Sequence, residues 1–222
     1  MARSGNSGTE QVRVRRGGGA SGSPTAGREL RSQGRRTMAA LLAAGMQVLA
    51  EKGYHAARVD DVVRVAKVSH GTFYLYFSNK EDLFRALAVQ CAEEMTDLAS
   101  SLSPVPPGEP GVEVLREWLS AFIATYRRYG VVIRAWMEDQ VTSRDLARLG
   151  AKAFTEITGS LVTRLREVRG DQPDLELAGA ALLAMIERST YFVTSRDLPF
   201  GDDELADTLA RIAQRGFFHP AA

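Results

Sequence analysis

Cysteine is almost absent from this sequence, and long apolar runs are absent altogether. The 222 residues include one cysteine, Cys91, so no internal disulfide can form, and a disulfide-stapled secreted fold is excluded. No uninterrupted apolar segment approaches the ~18 residues that span a bilayer, and no apolar stretch follows a basic start as in a signal peptide. We therefore expect a cytoplasmic protein that has no contact with a membrane.

Net charge is also small, but the charge is unevenly distributed along the chain. The formal net charge is +1, yet residues 1–36 contain eight arginines and two glutamates. These arginines are separated mainly by Gly, Ser and Thr, which cannot bury enough apolar surface to fold. We predict that residues 1–33 form a disordered basic tail. Such a tail either contacts a polyanion such as DNA or is a solvated segment without a partner.

The composition and periodicity of the remaining sequence predict a globular all-α fold. Hydrophobic residues make up 45% and charged residues 25% of the chain, which is typical of soluble globular proteins. Apolar residues recur at three- and four-residue spacing almost throughout, and no period-two strand pattern persists. We predict nine helices, at about 37–52, 59–66, 70–77, 78–101, 111–129, 131–140, 143–168, 174–194 and 202–217.

Two of the predicted helices are short and lie close together in the sequence. Residues 59–66 and 70–77 are separated by a three-residue break, and helices of this length are marginal in water unless they pack against other elements. Two short helices joined by such a turn are typical of a helix-turn-helix. The next helix is predicted to start with a capping box, in which Ser78 and Glu81 satisfy backbone donors.

The segment VSHGTFYLYF at 68–77, followed by Ser78-Asn79-Lys80-Glu81, resembles the most specific motif of the TetR family of bacterial transcriptional regulators. The resemblance extends from Arg35 to Leu87. It implies a TetR-like architecture with a helix-turn-helix DNA-binding domain at 34–82 and a helical effector-binding and dimerisation domain at 83–222. It also implies a homodimer that forms through the last two helices of each subunit. The third helix of each subunit then enters the major groove of a palindromic operator in double-stranded DNA.

Helical geometry around residue 70 agrees with this resemblance. On a short helix starting near Ser69, polar side chains project outward while Phe73 and Phe77 turn inward. Short side chains such as His70 and Thr72 suit base edges, whereas tyrosine hydroxyls and a lysine at a helix start suit phosphates. His70 as an ordinary surface residue is the alternative. The candidate DNA contacts are Arg58, Ser69, His70, Gly71, Thr72, Tyr74, Tyr76 and Lys80.

Two positions depart from the family pattern. Lys67 stands where a glycine is usual, so we expect it to adopt a positive φ at a cost of roughly 1 kcal/mol. Ala57-Arg58 replaces the threonine pair that commonly precedes the second helix, so the hydroxyl N-cap is lost. Arg58 is then available to contact a phosphate.

The second half of the sequence is rich in aromatic residues, and both tryptophans lie there. An apolar chamber with few polar groups is the usual form of a small-molecule site, and the resemblance to the TetR family favours such a chamber for a hydrophobic effector. A tightly filled core in a ligand-independent DNA-binding or scaffold protein is the alternative. The candidate effector contacts are Trp118, Phe122, Tyr126, Trp136, Met137, Phe154, Ile157, Met185 and Tyr191.

The segment from Ala181 to Arg188 is similar to the EthR-type subgroup of the TetR family. The resemblance implies a pocket in which that subgroup has asparagine amides, but Leu183 and Ile186 stand at those places here. The sequence also contains no nucleophile elbow, no dinucleotide fingerprint, and no histidine with metal-ligand spacing to a second ligand. We therefore expect no enzymatic activity, no catalytic residues, no metal and no cofactor.

Overall fold

A computed structural model describes residues 24–137, 144–196 and 198–219, with side chains from Ser32 onward. Every regular element in these ranges is an α-helix, which agrees with the predicted all-α class. The helices are α1 (Pro24–Ala56), α2 (Val59–Ala66), α3 (His70–Tyr74), α4 (Lys80–Ser101), α5 (Glu109–Met137), α6 (Arg144–Arg169), α7 (Leu175–Ser195) and α8 (Asp202–Gly216).

The described ranges contain eight helices instead of the nine predicted, because the fifth and sixth predicted helices form one continuous helix. The predicted helices 111–129 and 131–140 are separated at Gly130, but α5 continues through this glycine from Glu109 to Met137. A glycine inside a helix costs about 1 kcal/mol relative to alanine, which tertiary packing can offset. Tyr129 and Val132, on either side of Gly130, are both buried, so packing holds the helix together across the glycine.

The first helix begins earlier than the sequence predicted. Its start is at Pro24 instead of Thr37, so residues 24–33 are helical where a disordered tail was expected. Proline is favoured at the first position of a helix because its fixed φ suits that position. The following segment contains good helix formers, among them Glu29, Leu30 and Gln33. The remainder of the predicted tail, residues 1–23, lies outside the described residues.

The chain divides after Thr37 into two units, and the unit from Met38 onward contains the apolar core. Within this unit α4 packs against α6, α5 against α8, and α6 against α7. Cys91 on α4 is fully buried with its thiol next to the sulfur of Met95, and burial raises the pKa of that thiol. Cys91 is therefore a small buried residue of the apolar core.

Three local backbone features set the geometry around α2 and α3. Gly53 interrupts α1 near its end with φ 76°, and Lys67 ends α2 in the left-handed region with φ 55°. The cap of α4 lies one residue later than predicted. Asn79 is the N-cap and accepts a hydrogen bond from the backbone of Asp82 at 2.8 Å, while Asp82 accepts one from the backbone of Ser78 at 3.0 Å. Asparagine caps a helix as well as serine does.

Among the described helices, none combines the length and the apolar character needed to cross a membrane.

Candidate nucleic-acid interface

The orientation of α3 is fixed by residues that it buries. Phe73 is fully buried and Phe77 nearly so, and their ring centroids lie 5.7 Å apart. Val62 and Val63 on α2 belong to the same core. This confirms that the aromatic pair turns inward. Since burial on one side determines which residues face the other, the remaining side chains of α3 are presented on a defined surface.

The opposite side of α3 is exposed. His70, Gly71, Tyr74 and Leu75 are all accessible, with Tyr74 57% and Leu75 82% exposed. His70 and Tyr74 are four residues apart, as are Gly71 and Leu75, and this spacing places the two members of each pair on the same side of a helix. We call these four residues the α3 face. Leu75 was not among the candidate DNA contacts, although its spacing of four residues from Gly71 places it on the same side.

Two of the candidate contacts, Ser69 and Thr72, form the hydrogen bonds that cap the start of α3. Ser69 is the N-cap, and its hydroxyl oxygen accepts a hydrogen bond from the backbone N–H of Thr72 at 3.0 Å. The hydroxyl groups of Ser69 and Thr72 also lie 2.9 Å apart and share a hydrogen bond. Each hydroxyl can still accept or donate once more. Their first task is to fix the start of α3.

His70 is held by a residue of α2. Its Nε2 lies 2.7 Å from the carboxylate oxygen Oδ1 of Asp60, and both side chains are exposed. Asp60 lies in the first turn of α2, where an acidic side chain also compensates the helix dipole. The contact orients the imidazole ring and leaves its Nδ1 edge for other partners. It also places a negative charge next to the α3 face.

The neighbouring Asp61 has a structural role that sequence reasoning missed. Its side chain is buried and forms ion pairs with Lys52 of α1, at 2.7 Å, and with Arg64 of α2. The hydrogen bond from Lys52 holds the pKa of Asp61 below its ordinary value. The contact with Lys52 ties α2 to α1, so the position of α2 does not depend on apolar packing alone.

Two cations next to this module have no acidic partner among the residues that the structure describes. Arg58 is exposed at the N-cap of α2 without a side-chain cap hydrogen bond, and Lys67 is exposed at its C-cap. Within the part of the chain that the structure describes, neither side chain forms an ion pair. Unpaired exposed cations at both ends of α2 are suited to phosphate groups of a nucleic acid.

The ammonium group of Lys80, at the start of α4, is already engaged within the protein. It donates to the backbone carbonyl oxygens of Tyr54, at 3.0 Å, and His55, at 3.4 Å, and lies 5.0 Å from the ring centre of Tyr54. It therefore satisfies carbonyl groups at the end of α1, where a cation is favourable. The predicted phosphate contact would have to compete with these bonds or use the remaining donor. Tyr76, another candidate contact, is half-buried against the core.

The candidate effector contacts lie in the second half of the chain and fall into two groups. Trp118, Phe122, Tyr126 and Ile157 are buried, whereas Trp136, Phe154, Met185 and Tyr191 are partly buried against the core. Trp118, Phe122 and Tyr126 follow each other at four-residue spacing on α5, with ring centroids 5.8 and 6.2 Å apart. The side chain of Met137 lies outside the described residues.

Polar groups among these aromatic residues are paired in two cases. The indole Nε1 of Trp118 donates to the carbonyl of Leu98 at 2.9 Å, and the hydroxyl of Tyr126 donates to Glu187 at 3.0 Å. Burial, followed by the charge of Glu187, raises the pKa of Tyr126. Glu187 is only 5% exposed and was missed by sequence reasoning, although it follows directly after Ile186. Leu183 and Ile186 replace the asparagine amides of the EthR-type subgroup, but Glu187 supplies a different buried polar group on α7.

A third polar group stands apart from these. The indole Nε1 of Trp136 is buried and has no hydrogen-bond partner among the residues that the structure describes. Its ring lies against Gly150 of α6, where an added Cβ would come within 2.7 Å of it. Buried polar groups in folded proteins are nearly always hydrogen-bonded, so an unpaired one calls for a partner. Water or a ligand with an acceptor atom would provide it.

Metal binding has no support in the described ranges, where no group of three or more His, Cys, Asp or Glu side chains is arranged to hold an ion.

Comparisons with known proteins agree with this interface. Residues 41–87 match the family model described as "Bacterial regulatory proteins, tetR family". The chain is 27% identical over 200 residues to the HTH-type transcriptional regulator EthR of Mycolicibacterium smegmatis, which covers 85% of this chain and 89% of that protein.

A second relative matches over a shorter stretch. The fatty acid metabolism regulator protein of Bacillus subtilis is 45% identical over 47 residues, so the match spans 21% of this chain and 24% of that relative's length. Among solved structures, the TetR family regulator PfmR from Thermus thermophilus has a TM-score of 0.64 at 21% identity, covering 80% of this chain and 97% of that one. The relatives matched in sequence are regulators, not enzymes.

Proposed function

We propose that this chain is a member of the TetR family of bacterial regulatory proteins and acts as a homodimeric transcriptional repressor in the cytoplasm, because residues 41–87 match that family model and the regulator EthR aligns with 85% of the chain. In this proposal each subunit places α3 in the major groove of one half of a palindromic operator. A hydrophobic small molecule bound in the body of helices α4 to α8 releases the protein from DNA.

The observation that carries the DNA-binding part is the α3 face beside two unpaired cations. Phe73 and Phe77 are buried and fix α3, and the polar side chains on the other side remain accessible. Arg58 and Lys67 supply positive charge at the ends of α2, where phosphates on either side of a groove would lie. Phosphate contacts position a protein on DNA, and contacts to base edges provide specificity. His70 and Tyr74 on this face, together with Thr72 beside it, are the proposed base and backbone contacts.

The link between the two halves of the protein is α4. Its first residue, Lys80, holds the end of α1, and near its last turn the carbonyl of Leu98 accepts the hydrogen bond from Trp118 on α5. A ligand that displaces Trp118 would therefore break a buried hydrogen bond to α4 and shift this helix. To change a repressor from 99% to 1% competent, an effector must prefer the released state by about 5.5 kcal/mol.

The effector part of the proposal is supported by the unpaired indole of Trp136. An apolar molecule that carries a hydrogen-bond acceptor, such as a ketone or an ester, would satisfy this donor. The ligand-independent alternative is favoured by a different observation, namely that Phe122, Tyr126 and Ile157 are already buried by protein atoms. Binding would then require these side chains to move.

The homodimer is supported by apolar residues that α7 and α8 leave accessible. Leu177, Phe192 and Ile212 are exposed, with 74% of Leu177 accessible. These residues lie on the two helices through which the resemblance to the TetR family implies pairing, and a contiguous exposed apolar patch is typical of a surface that another chain covers. We propose that two copies pair through these helices and thereby present two α3 faces to one operator.

The DNA-binding proposal is tested with the full chain and genomic fragments from its source organism. We expect enrichment of a small number of fragments and a footprint of two half-sites about 10 base pairs, or a multiple of one turn, apart. Arg58→Ala should lower the slope of log affinity against log salt by about one unit if Arg58 binds one phosphate. Binding without preference for any fragment would refute the proposal.

Lys80 needs its own test because its ammonium is already engaged. If Lys80 contacts a phosphate, Lys80→Ala lowers the salt slope by about one unit. If its role is confined to the end of α1, the variant melts at a lower temperature and its salt slope equals that of the wild type. Lys80 would then be removed from the set of DNA contacts.

The effector proposal is tested by thermal unfolding of the full chain with long-chain methyl ketones and esters as probes. A ligand at a hundred times its dissociation constant should stabilise the protein by about 2.7 kcal/mol. Trp136→Phe, which keeps an aromatic ring but removes the N–H donor, should weaken binding, and Tyr54→Phe is the control outside the body. Equal stabilisation of the wild type and Trp136→Phe would exclude Trp136 as the polar contact.

A further inference from the structure

The structure points to Leu75 as a residue that determines base specificity. We propose that its side chain packs against the 5-methyl group of a thymine in the major groove. This inference rests on the proposed DNA-binding function, and it adds a residue that the sequence motif did not suggest.

The observation behind this proposal is the exposure of Leu75. With 82% of its surface accessible, it has the highest exposure among the large apolar residues in the described part of the chain. Its backbone N–H donates to the carbonyl oxygens of Gly71 and Thr72 at 3.2 and 3.3 Å, so its position at the end of α3 is fixed. An ordered and exposed leucine gains nothing from the protein's own core. Its apolar surface remains available for a partner.

Gly71 determines what lies beside Leu75. On a helix a side chain leans toward the residue four positions earlier, which for Leu75 is Gly71. A Cβ added at Gly71 would meet only the hydroxyl oxygen of Ser69, at 3.7 Å. The backbone surface next to Leu75 is therefore not covered by a side chain at Gly71. A flat partner could approach the backbone of α3 closely at this point.

The chemistry of the neighbouring residues favours duplex DNA as that partner. His70 and Tyr74, one turn apart on the same face, offer polar groups for base edges and phosphates, while Leu75 offers only apolar contact. The major groove contains one apolar feature on its base edges, the methyl group of thymine. The unpaired cations Arg58 and Lys67 supply the charge that a polyanion requires. A protein partner would not need these cations.

The test uses the full chain and a duplex that it selects from a random-sequence library. Each thymine is replaced in turn by deoxyuridine, at matching positions of both half-sites. Deoxyuridine keeps the base pair and the O4 acceptor and lacks only the methyl group. At one position per half-site we expect the affinity of the wild type to fall about fourfold per methyl group removed, the fold-change expected for exposing one methyl group.

The matched variants are Leu75→Ala and Phe200→Ala. Leu75→Ala should bind the thymine duplex more weakly than the wild type and should show no further loss with deoxyuridine at that position. Phe200 is also an exposed apolar residue, at 49%, but lies in the segment before α8, so Phe200→Ala should keep the full deoxyuridine effect. Both variants should melt near the wild-type temperature because exposed side chains contribute little to stability.

Three outcomes would overturn the inference. A wild type that selects a duplex but is insensitive to every deoxyuridine refutes the thymine contact and leaves DNA binding intact. A deoxyuridine effect that persists in Leu75→Ala assigns the methyl contact to another residue. A change in oligomeric state of Leu75→Ala without a change in base preference shows that Leu75 is covered by a second copy. Failure of the wild type to select any duplex would instead refute the proposed function.

Discussion

The two aromatic-rich helices of this protein use their side chains in opposite ways. On α3 a fully buried Phe73 is followed directly by an exposed Tyr74 and an exposed Leu75. On α5 the aromatic residues Trp118, Phe122 and Tyr126 are all buried. The exposed side chains at α3 are accessible to a macromolecule without any change in the fold. The buried aromatic side chains of α5 can contact a small molecule only if the interior rearranges to admit it.

On α3, the residues that stabilise the fold differ from those proposed to bind a partner, whereas on α5 the same buried side chains are expected to do both. Replacing an exposed residue of the α3 face should change DNA binding and leave the fold intact. Replacing an aromatic residue of α5 should change the fold, and any effect on a ligand will be mixed with that change. Four predictions test this contrast, beginning with the largest expected effect.

The first prediction compares neighbours on α3. Phe73→Ala should lower the free energy of unfolding by about 3–5 kcal/mol, because it removes a fully buried ring and leaves a cavity. Tyr74→Ala should change it by less than about 0.5 kcal/mol and should weaken DNA binding. Denaturant unfolding of both variants measures the difference. Similar stabilities for the two would contradict the assignment of inner and outer sides of α3.

The second prediction concerns the buried pair on α5 and α7. Tyr126→Phe leaves the Glu187 carboxylate without the hydroxyl that donates to it, which should cost about 1–3 kcal/mol. Adding Glu187→Leu should recover part of this stability, because two apolar partners leave no unsatisfied polar group. The double-mutant cycle is measured by urea unfolding. Additive effects would show that the two side chains do not interact.

Most of the helical framework follows from sequence patterns. The bounds of α2 were predicted correctly, and Lys67 was expected in a left-handed conformation because the family has glycine there; its φ is 55°. The inward position of Phe73 also follows from helical spacing. These features are local, so a period or a turn preference is enough to predict them.

What sequence patterns missed depends on contacts between distant residues. The ion pair of Asp61 with Lys52 joins α2 to α1, and the bond between Tyr126 and Glu187 joins residues 61 positions apart. No spacing rule connects such positions. Gly130 was predicted to break a helix because local propensity favours a break, whereas packing on both sides keeps α5 continuous. The start of α4 was misplaced by one residue because both Ser78 and Asn79 are good caps.

The third prediction follows from the backbone of Lys67. Lys67→Gly should raise the free energy of unfolding by about 1 kcal/mol, because glycine adopts a positive φ without steric cost. If Lys67 also contacts a phosphate, the same variant should lower the salt slope of DNA binding by about one unit. Thermal unfolding and salt titration measure the two effects separately. A less stable Lys67→Gly would mean that the lysine side chain has a stabilising contact.

The fourth prediction has the smallest effect and concerns the continuity of α5. Gly130→Ala should stabilise the protein by at most about 0.5–1 kcal/mol, since alanine is the better residue inside a helix. The added methyl group would meet the flexible end of Arg134 at 3.3 Å and the ring of Tyr126 at 3.6 Å. Gly159→Ala, where nothing lies within 4 Å, is the matched control on α6. A loss of stability confined to Gly130→Ala would indicate a break in α5.

The central claim is that the α3 face selects a DNA sequence, and one measurement tests it most directly. The affinities of the wild type and a His70→Ala variant, which loses one proposed base contact in each half-site, are compared on a selected duplex and on a scrambled duplex of equal length, at one salt concentration. The account predicts that the variant melts like the wild type and still binds the scrambled duplex. Its preference for the selected duplex should fall by about a hundredfold, as expected when base contacts are removed. An unchanged preference in a folded variant would contradict the account.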